Sequence, residues 1–262
     1  MAHPLDDPRA KIRRAKTHLE EFDREWEKWL KSNPYAVLGY PDADDPTCRK
    51  FHVHRFDEEV KPENDIFGIV IGDYVHNLRS ALDQLVWNLV TVANGKTPIE
   101  KEIPSISFPI VTSHPSVYWK RDMIARHDLT FEQALFLEGY QPYRTLNSPH
   151  GGPLANLNAL WNADKHRLIN PVFVRVAEQG PVFEPNADAR IVETWWDGEI
   201  ALKGDAKFAC VRMEAVGPDP QVQVKELPVE VAFGEAERPI QNLPALLVMT
   251  SEIVENCARF FQ

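Results

Sequence analysis

The stretch that decides the fold is residues 65–93, with the sequence DIFGIVIGDYVHNLRSALDQLVWNLVTVA. Its apolar residues recur at alternating spacings of three and four, which is the period of an α-helix with one buried side. This seam consists of Ile71, Val75, Leu78, Leu82, Leu85, Leu89 and Val92. The apolar arc is widened by Ile66, Phe67, Ile69, Val70, Val86 and Val90. A helix that is apolar around most of its circumference is typical of the centre of a bundle.

Four other segments carry a helical pattern. Residues 10–31 alternate apolar and charged positions, and a short helix follows Thr130 to about residue 139. Further helices are predicted at about residues 153–169 and 243–261. Between these last two the apolar period changes to two, which is typical of β-strands. The predicted strands are residues 191–196, 199–202, 208–213 and 222–233, with a separate strand near 50–56.

Two local signals refine the predicted sheet. Asp197-Gly198 separates the first two of these strands and predicts a two-residue hairpin turn. Pro228 interrupts the strand at 222–233, which therefore is expected at an edge of the sheet.

These patterns together predict an α+β fold. We expect a bundle of about four long helices with an antiparallel β-sheet inserted before the C-terminal helix. A single domain is predicted over residues 1–262, with its helical core at residues 10–170 plus 239–262. The β-sheet annex is predicted at about residues 171–238, joined by the strand near 50–56.

Composition limits the compartment and the partners. The 262 residues are 44% hydrophobic, which is enough for a core, and no apolar run is long enough to cross a bilayer. The N-terminal residues lack the apolar run of a signal peptide, and three widely spaced cysteines favour a reducing, cytoplasmic location. A net charge of -10 gives no strong nucleic-acid signal. The aromatic residues of the first helix are compatible with a homodimer, and the sequence predicts no other partner.

The central helix also carries a line of polar residues. At about 100° per residue, His76, Arg79 and Asp83 lie within a sector of roughly 60°, with apolar residues at both ends. Such a sector is not typical of an exposed face. The predicted helix at 153–169 also has polar residues beside its apolar face. If the two helices pack together, the residues expected to meet are His76, Arg79, Asp83, Asn162, Asp164 and Lys165.

Two interpretations of this polar cluster stay open. It is either a buried network that fixes the register of the helices, or a site in which a histidine acts as acid or base and a cation holds an anion. The candidate catalytic residues are His76, Arg79, Asp83 and His166. The candidate binding residues are Asp73, Asn77, Asn162, Asp164, Lys165 and Arg167.

No metal and no cofactor are predicted. Arg79 lies on the same stripe as His76 and Asp83 and would repel a divalent cation. The chain also lacks the glycine-rich loop followed by Lys-Ser/Thr that binds phosphates.

Several of these residues belong to motifs that are similar to those of an uncharacterised family of bacterial proteins. The motifs are GDYVHNLRSALDQLVW at 72–87, FPI at 108–110, QPY at 141–143 and LNALWNADKHR at 157–167. They cover about the middle third of the chain. The resemblance implies a shared core and no established activity.

The sequence therefore predicts a cytoplasmic binding or interaction protein whose polar cluster is mainly structural. The alternative is a metal-independent nuclease or hydrolase, by analogy with the helical-bundle ribonucleases of the HEPN type. Those enzymes use an Arg followed four to six residues later by a His. This chain has that spacing at Arg13–His18, Arg49–His54, Arg121–His127 and Arg144–His150, but none lies on the central helix or has the Arg-Asn-x-x-x-His form.

Overall fold

The computed structural model describes most of the chain. The described residues are 3–31, 35–55, 64–98, 106–112, 124, 129–144, 152–166, 169, 171–177, 179–198, 205–235, 238–240 and 242–262. They form an α+β protein in which the chain divides into two compact units. The helical unit comprises Met1–Arg24, Asp65–Ile169 and Asn242–Gln262, and the β unit comprises Glu25–Asn64 and Asn170–Gln241. The expectation of a single domain stays a prediction.

Five α-helices lie in the described part of the chain. They are α1 (Asp6–Lys31), α2 (Asn64–Asn88), α3 (Phe131–Gly139), α4 (Gly152–Asp164) and α5 (Leu243–Asn256). A π-helical turn, Leu89–Ala93, extends α2, and a 3-10 turn, Cys257–Phe261, extends α5. No described helix combines the length and the apolar character needed to cross a membrane.

The prediction of four long helices is not confirmed. Only α1 and α2, with 26 and 25 residues, are long among the described helices. The helices α3, α4 and α5 have 9, 13 and 14 residues. The predicted helix at 153–169 ends at Asp164, and residues 165–166 form a turn.

The core of the helical unit lies along α2, as its seam predicts. Six seam residues are fully buried: Ile71, Val75, Leu78, Leu82, Leu85 and Leu89. Tyr74 is buried among them, and its hydroxyl donates a hydrogen bond to the carbonyl of Leu243 at the start of α5 (2.6 Å). Val92 and Ile69 are both 54% exposed, so the buried arc is narrower than predicted.

Contacts at the N-terminus attach α1 to the rest of the helical unit. The Asn88 side chain donates a hydrogen bond to the carbonyl of Pro4 (2.6 Å). Arg9 forms a bidentate pair with Glu255 of α5, with N–O distances of 2.8 and 2.6 Å. This pairing raises the pKa of Arg9 and lowers the pKa of Glu255.

The described part of the β unit contains nine strands in three antiparallel sheets. The strands are β1 (Tyr35–Pro41), β2 (Cys48–Arg55), β3 (Pro171–Val176), β4 (Val182–Pro185), β5 (Ala189–Trp196), β6 (Asp205–Ala215), β7 (Val222–Glu226), β8 (Val229–Glu235) and β9 (Arg238–Ile240). The sheet orders are β1-β2-β6-β5, β3-β8-β9 and β4-β7. The predicted strand at 222–233 is two strands, because Pro228 separates β7 from β8.

The central strands of the largest sheet supply the core of the β unit. Phe51 and Val53 of β2 and Phe208 and Val211 of β6 are buried together. The strand β5, which precedes the predicted turn at Asp197-Gly198, pairs with β6, with Trp196 opposite Ala209. The two-residue turn itself stays a prediction. The predicted partner strand at 199–202 lies outside the described residues.

Candidate functional site

Arg79 and Asp83 of α2 hold the backbone of Phe108. They form an i,i+4 ion pair with an Arg79 Nη2 to Asp83 Oδ1 distance of 2.9 Å. Arg79 Nη2 also donates a hydrogen bond to the Phe108 carbonyl (2.7 Å), and the Phe108 amide donates to Asp83 Oδ1 (2.8 Å). The two charged side chains thus satisfy both backbone polar groups of a residue that is 1% exposed.

Gln141 continues this support along the same segment. Its side-chain carbonyl accepts a hydrogen bond from the Val111 amide (2.9 Å). Its side-chain amide donates to the carbonyls of Pro109 and Leu137, both at 3.0 Å. Pro109 has no N–H group, so only its carbonyl needs a partner. Residues 108–111 form no helix or strand, and side chains replace the ladder that would otherwise satisfy their backbone.

The group formed by Arg79, Asp83 and Gln141 is called the Phe108 clamp below. Arg79 is 9% exposed and Gln141 is 1% exposed, so two members are removed from water. A buried charge or amide needs partners, and each of these side chains has them in the clamp.

The last residue of the QPY motif donates a hydrogen bond to one oxygen of a buried carboxylate. Glu138 of α3 is 8% exposed and accepts a hydrogen bond from the Tyr143 hydroxyl (2.9 Å). Arg144 lies 3.5 Å from the same carboxylate oxygen. Burial, together with the Glu138 carboxylate, raises the pKa of Tyr143 to about 12. Tyr143 therefore stays a neutral donor at physiological pH, which is the form that this bond needs.

A second part of the predicted cluster lies where α2 packs against α4. A Cβ atom at Gly72 would lie 2.6 Å from Asp164 Oδ1, so a larger residue there would displace the Asp164 carboxylate. The His76 ring lies 5.4 Å from the Trp161 ring, and the Lys165 ammonium lies 4.8 Å over that same ring. Cation–aromatic and aromatic contacts therefore join the side chains here.

The pKa of Asp164 depends on its burial and on the charged groups beside it. Burial raises the pKa of the Asp164 carboxyl, and the nearby Asp73 carboxylate acts in the same direction. His76 has the opposite effect and lowers the pKa of Asp164. A carboxyl with a raised pKa beside a histidine has the composition of an acid–base pair. His76 and Asp73 are exposed, so this part of α2 is open to solvent.

The predicted cluster is therefore divided into two groups. Within the described residues, no hydrogen bond or ion pair joins the Phe108 clamp to the group of Asp73, His76 and Asp164. His76 Nε2 lies 3.4 Å from the Ser80 hydroxyl, its neighbour on the same helix.

The remaining predicted residues have different surroundings. Asn77 is 8% exposed and donates a hydrogen bond to the Asp73 carbonyl (2.7 Å), which is a local contact within α2. Asn162, Lys165 and His166 are exposed. Arg167 lies outside the described residues.

The Arg–His spacings do not form a ribonuclease pair in the described part of the chain. His18 is 4% exposed on α1, whereas Arg13 is exposed, and the nearest carboxylate oxygen to His18 belongs to Glu21 (3.7 Å). The other three spacings include residues that lie outside the described ones or whose side chains do. No group of three His, Cys, Asp or Glu side chains in the described ranges is arranged to hold a metal ion.

Sequence reasoning missed the role of Phe108 and Gln141. Both lie in motifs that carried the family resemblance, FPI and QPY, and this was the available signal. Their hydrogen bonds join residues that are 25 to 32 positions apart in the sequence, and helical periodicity does not reveal such contacts.

No protein-family model matches this chain, and no curated protein or solved structure is significantly similar to it. The resemblance to a bacterial family therefore stays a prediction that depends on the motifs alone. The geometry of the side chains is therefore the basis for a proposed function.

Replacing Asp83 should destabilise the protein far more than replacing His76. Asp83→Ala leaves the Phe108 amide without its acceptor and the buried Arg79 guanidinium without its carboxylate. The expected cost is about 2–4 kcal/mol, reduced from the fully buried case because Asp83 is partly exposed. His76→Ala removes an exposed ring and should change the free energy of unfolding by about 0.5 kcal/mol. Urea unfolding of both variants measures the difference. Equal losses for the two variants would contradict the separation into two groups.

Replacing Asp164 should change how stability depends on pH. The raised pKa means that the folded protein binds the Asp164 proton more tightly than the unfolded chain does. This contribution is complete below the unfolded pKa of about 3.9 and is lost as the pH rises through the folded pKa. Asp164→Asn does not titrate, so its stability relative to the parent should increase from about pH 3 to pH 7.

Thermal unfolding at several pH values tests this expectation. The same comparison in a His76→Gln background removes the titration of the neighbouring imidazole. A stability difference that stays flat with pH, or that falls as the pH rises, would show that Asp164 is not desolvated in the folded protein.

Proposed function

We propose that this chain is a cytoplasmic, non-enzymatic binding or interaction protein whose polar cluster is mainly structural. The observation that carries the proposal is the Phe108 clamp. Arg79 and Asp83 were the cation and the carboxylate of the candidate catalytic set, and both are bound to the backbone of Phe108. Groups held in this way are positioned to support a loop and not to meet a substrate.

The residues that are left do not complete a catalytic set. A hydrolase that acts through a general base also needs donors for the developing negative charge. Beside His76 the structure has an aromatic ring, a serine on the same helix and Lys165, whose ammonium lies over the Trp161 ring. His166 is exposed, and its imidazole forms no hydrogen bond or ion pair with another residue that the structure describes.

A second candidate function is supported by one observation. The pKa of Asp164 is raised and a histidine lies close enough to affect it, which is a pattern found at acid–base sites. A metal-independent hydrolase or nuclease would then use His76 and Asp164, without Arg79 and Asp83.

Turnover assays on the purified chain separate the two functions. We expect no hydrolysis of an activated ester or of single-stranded RNA, in the presence of a chelator, above the rate of a His76→Ala variant purified identically. General acid–base catalysis contributes about 100-fold or more. Turnover in the parent that falls by about that factor in His76→Ala, with an unchanged free energy of unfolding, would overturn the binding proposal and favour the hydrolase.

A further inference from the structure

An open cavity of about 700 Å³ lies in the helical unit beside α3 and the 3-10 turn Cys257–Phe261. Its apolar walls are formed by Leu135, Phe136, Tyr140 and Phe260. This volume falls in the range of small-molecule sites. The lining combines these apolar side chains with the charged Glu132 and Arg259. None of the predicted site residues that the structure describes lines this cavity.

Aromatic contacts hold the walls in place. The Phe136 ring lies 5.3 Å from the Tyr140 ring and 5.5 Å from the Phe260 ring, both in edge-to-face geometry. The Tyr140 hydroxyl accepts a hydrogen bond from the Asn256 side chain (2.8 Å). Because the rings support one another, the apolar surface is formed before any ligand binds.

Gly139 is an exposed residue that also lines the cavity. A Cβ atom built at this position has no other atom within 4 Å. The backbone there is not in the left-handed region, so glycine is not required by its φ angle. The absence of a side chain at Gly139 therefore leaves space and has no other evident effect on the fold.

Large apolar side chains of α3 are exposed beside this space. Phe131 is 61% exposed and Leu135 is 47% exposed, one helical turn apart. Exposed apolar residues that border a cavity favour an apolar ligand, because covering them removes apolar surface from water.

The charged side chains that line the cavity indicate which polar group a bound apolar ligand would carry. The Arg259 guanidinium stacks over Phe136 and Phe260, with 5.1 and 4.9 Å from its carbon to the ring centres. Arg259 forms no ion pair or hydrogen bond with any other residue that the structure describes, so its N–H groups can bind a carboxylate. Glu132 also lines the cavity, and its negative charge opposes a second negative charge on the ligand.

We propose that this cavity binds an apolar monocarboxylate, with its aliphatic or aromatic part against Phe136, Tyr140 and Phe260 and its carboxylate on Arg259. The inference rests on the proposed binding function and names a site and a ligand class for it. Among the described lining residues Arg259 is the one cation, and with the apolar walls and the opposing Glu132 it favours such a ligand over a phosphate or another multiply charged anion.

Titration calorimetry with decanoate and with the neutral 1-decanol tests the proposal. The parent protein should bind decanoate more tightly than decanol. Arg259→Gln should weaken decanoate about fivefold, as expected for an exposed ion pair, and leave decanol unchanged. Gly139→Leu fills the cavity and should weaken both probes about tenfold. Arg13→Gln, an exposed arginine on α1, is the matched control and should change neither probe.

Three outcomes would overturn the proposal. They are no binding of decanoate to the parent, an unchanged preference for decanoate in Arg259→Gln, and an equal loss of decanoate binding in Arg13→Gln. Gly139→Leu provides a test that does not depend on charge, and its circular dichroism spectrum reports whether it folds. Failure of this site leaves the proposed binding function standing, whereas turnover that depends on His76 contradicts that function whatever decanoate does.

Discussion

The hydrogen bonds at the backbone of Phe108 are the constraint on which the helical unit depends. A buried amide and a buried carbonyl outside any helix or strand must find partners, because leaving either one unpaired costs about 1–3 kcal/mol. Asp83 and Arg79 supply both partners from one face of α2. The ion pair is in turn stabilised by the backbone groups that it binds, so the side chains and the segment order each other.

This constraint explains why polar residues occur on a helix that is otherwise apolar. Replacing Arg79 and Asp83 with apolar residues would lengthen the seam of α2 but would leave Phe108 without partners. The Gln141 side chain likewise forms hydrogen bonds with the backbone of the next residues in the segment, at the Pro109 carbonyl and the Val111 amide. The motifs of α2, FPI and QPY are thus three parts of one structural contact.

The sequence predicted the parts of the fold that local periodicity determines. The seam of α2 is buried from Ile71 to Leu89, and the i,i+4 pairing of Arg79 with Asp83 follows from helical geometry. Periodicity does not show which side of a wide apolar arc faces solvent. For this reason Ile69 was assigned to the apolar arc, although it is exposed.

Long-range pairings were harder to predict. The partner of Arg79 and Asp83 lies in an irregular segment, and β1 (Tyr35–Pro41) was missed because its glycine and proline weaken the strand pattern. The contact of α2 with α4 was expected, and the rings of His76 and Trp161 do meet there. The cavity beside Phe136 combines side chains from α3 and the C-terminal turn, and no sequence motif predicts it.

Amide hydrogen exchange at Phe108 tests the clamp most directly. Phe108 and Val111 belong to no helix or strand. In the clamp, their amides are protected from exchange by hydrogen bonds to the side chains of Asp83 and Gln141. In the parent protein, both amides should exchange much more slowly than in an unfolded chain, and Asp83→Ala should remove the protection of Phe108. Exchange of the Phe108 amide at the unfolded rate in the parent protein would contradict the central role of the clamp.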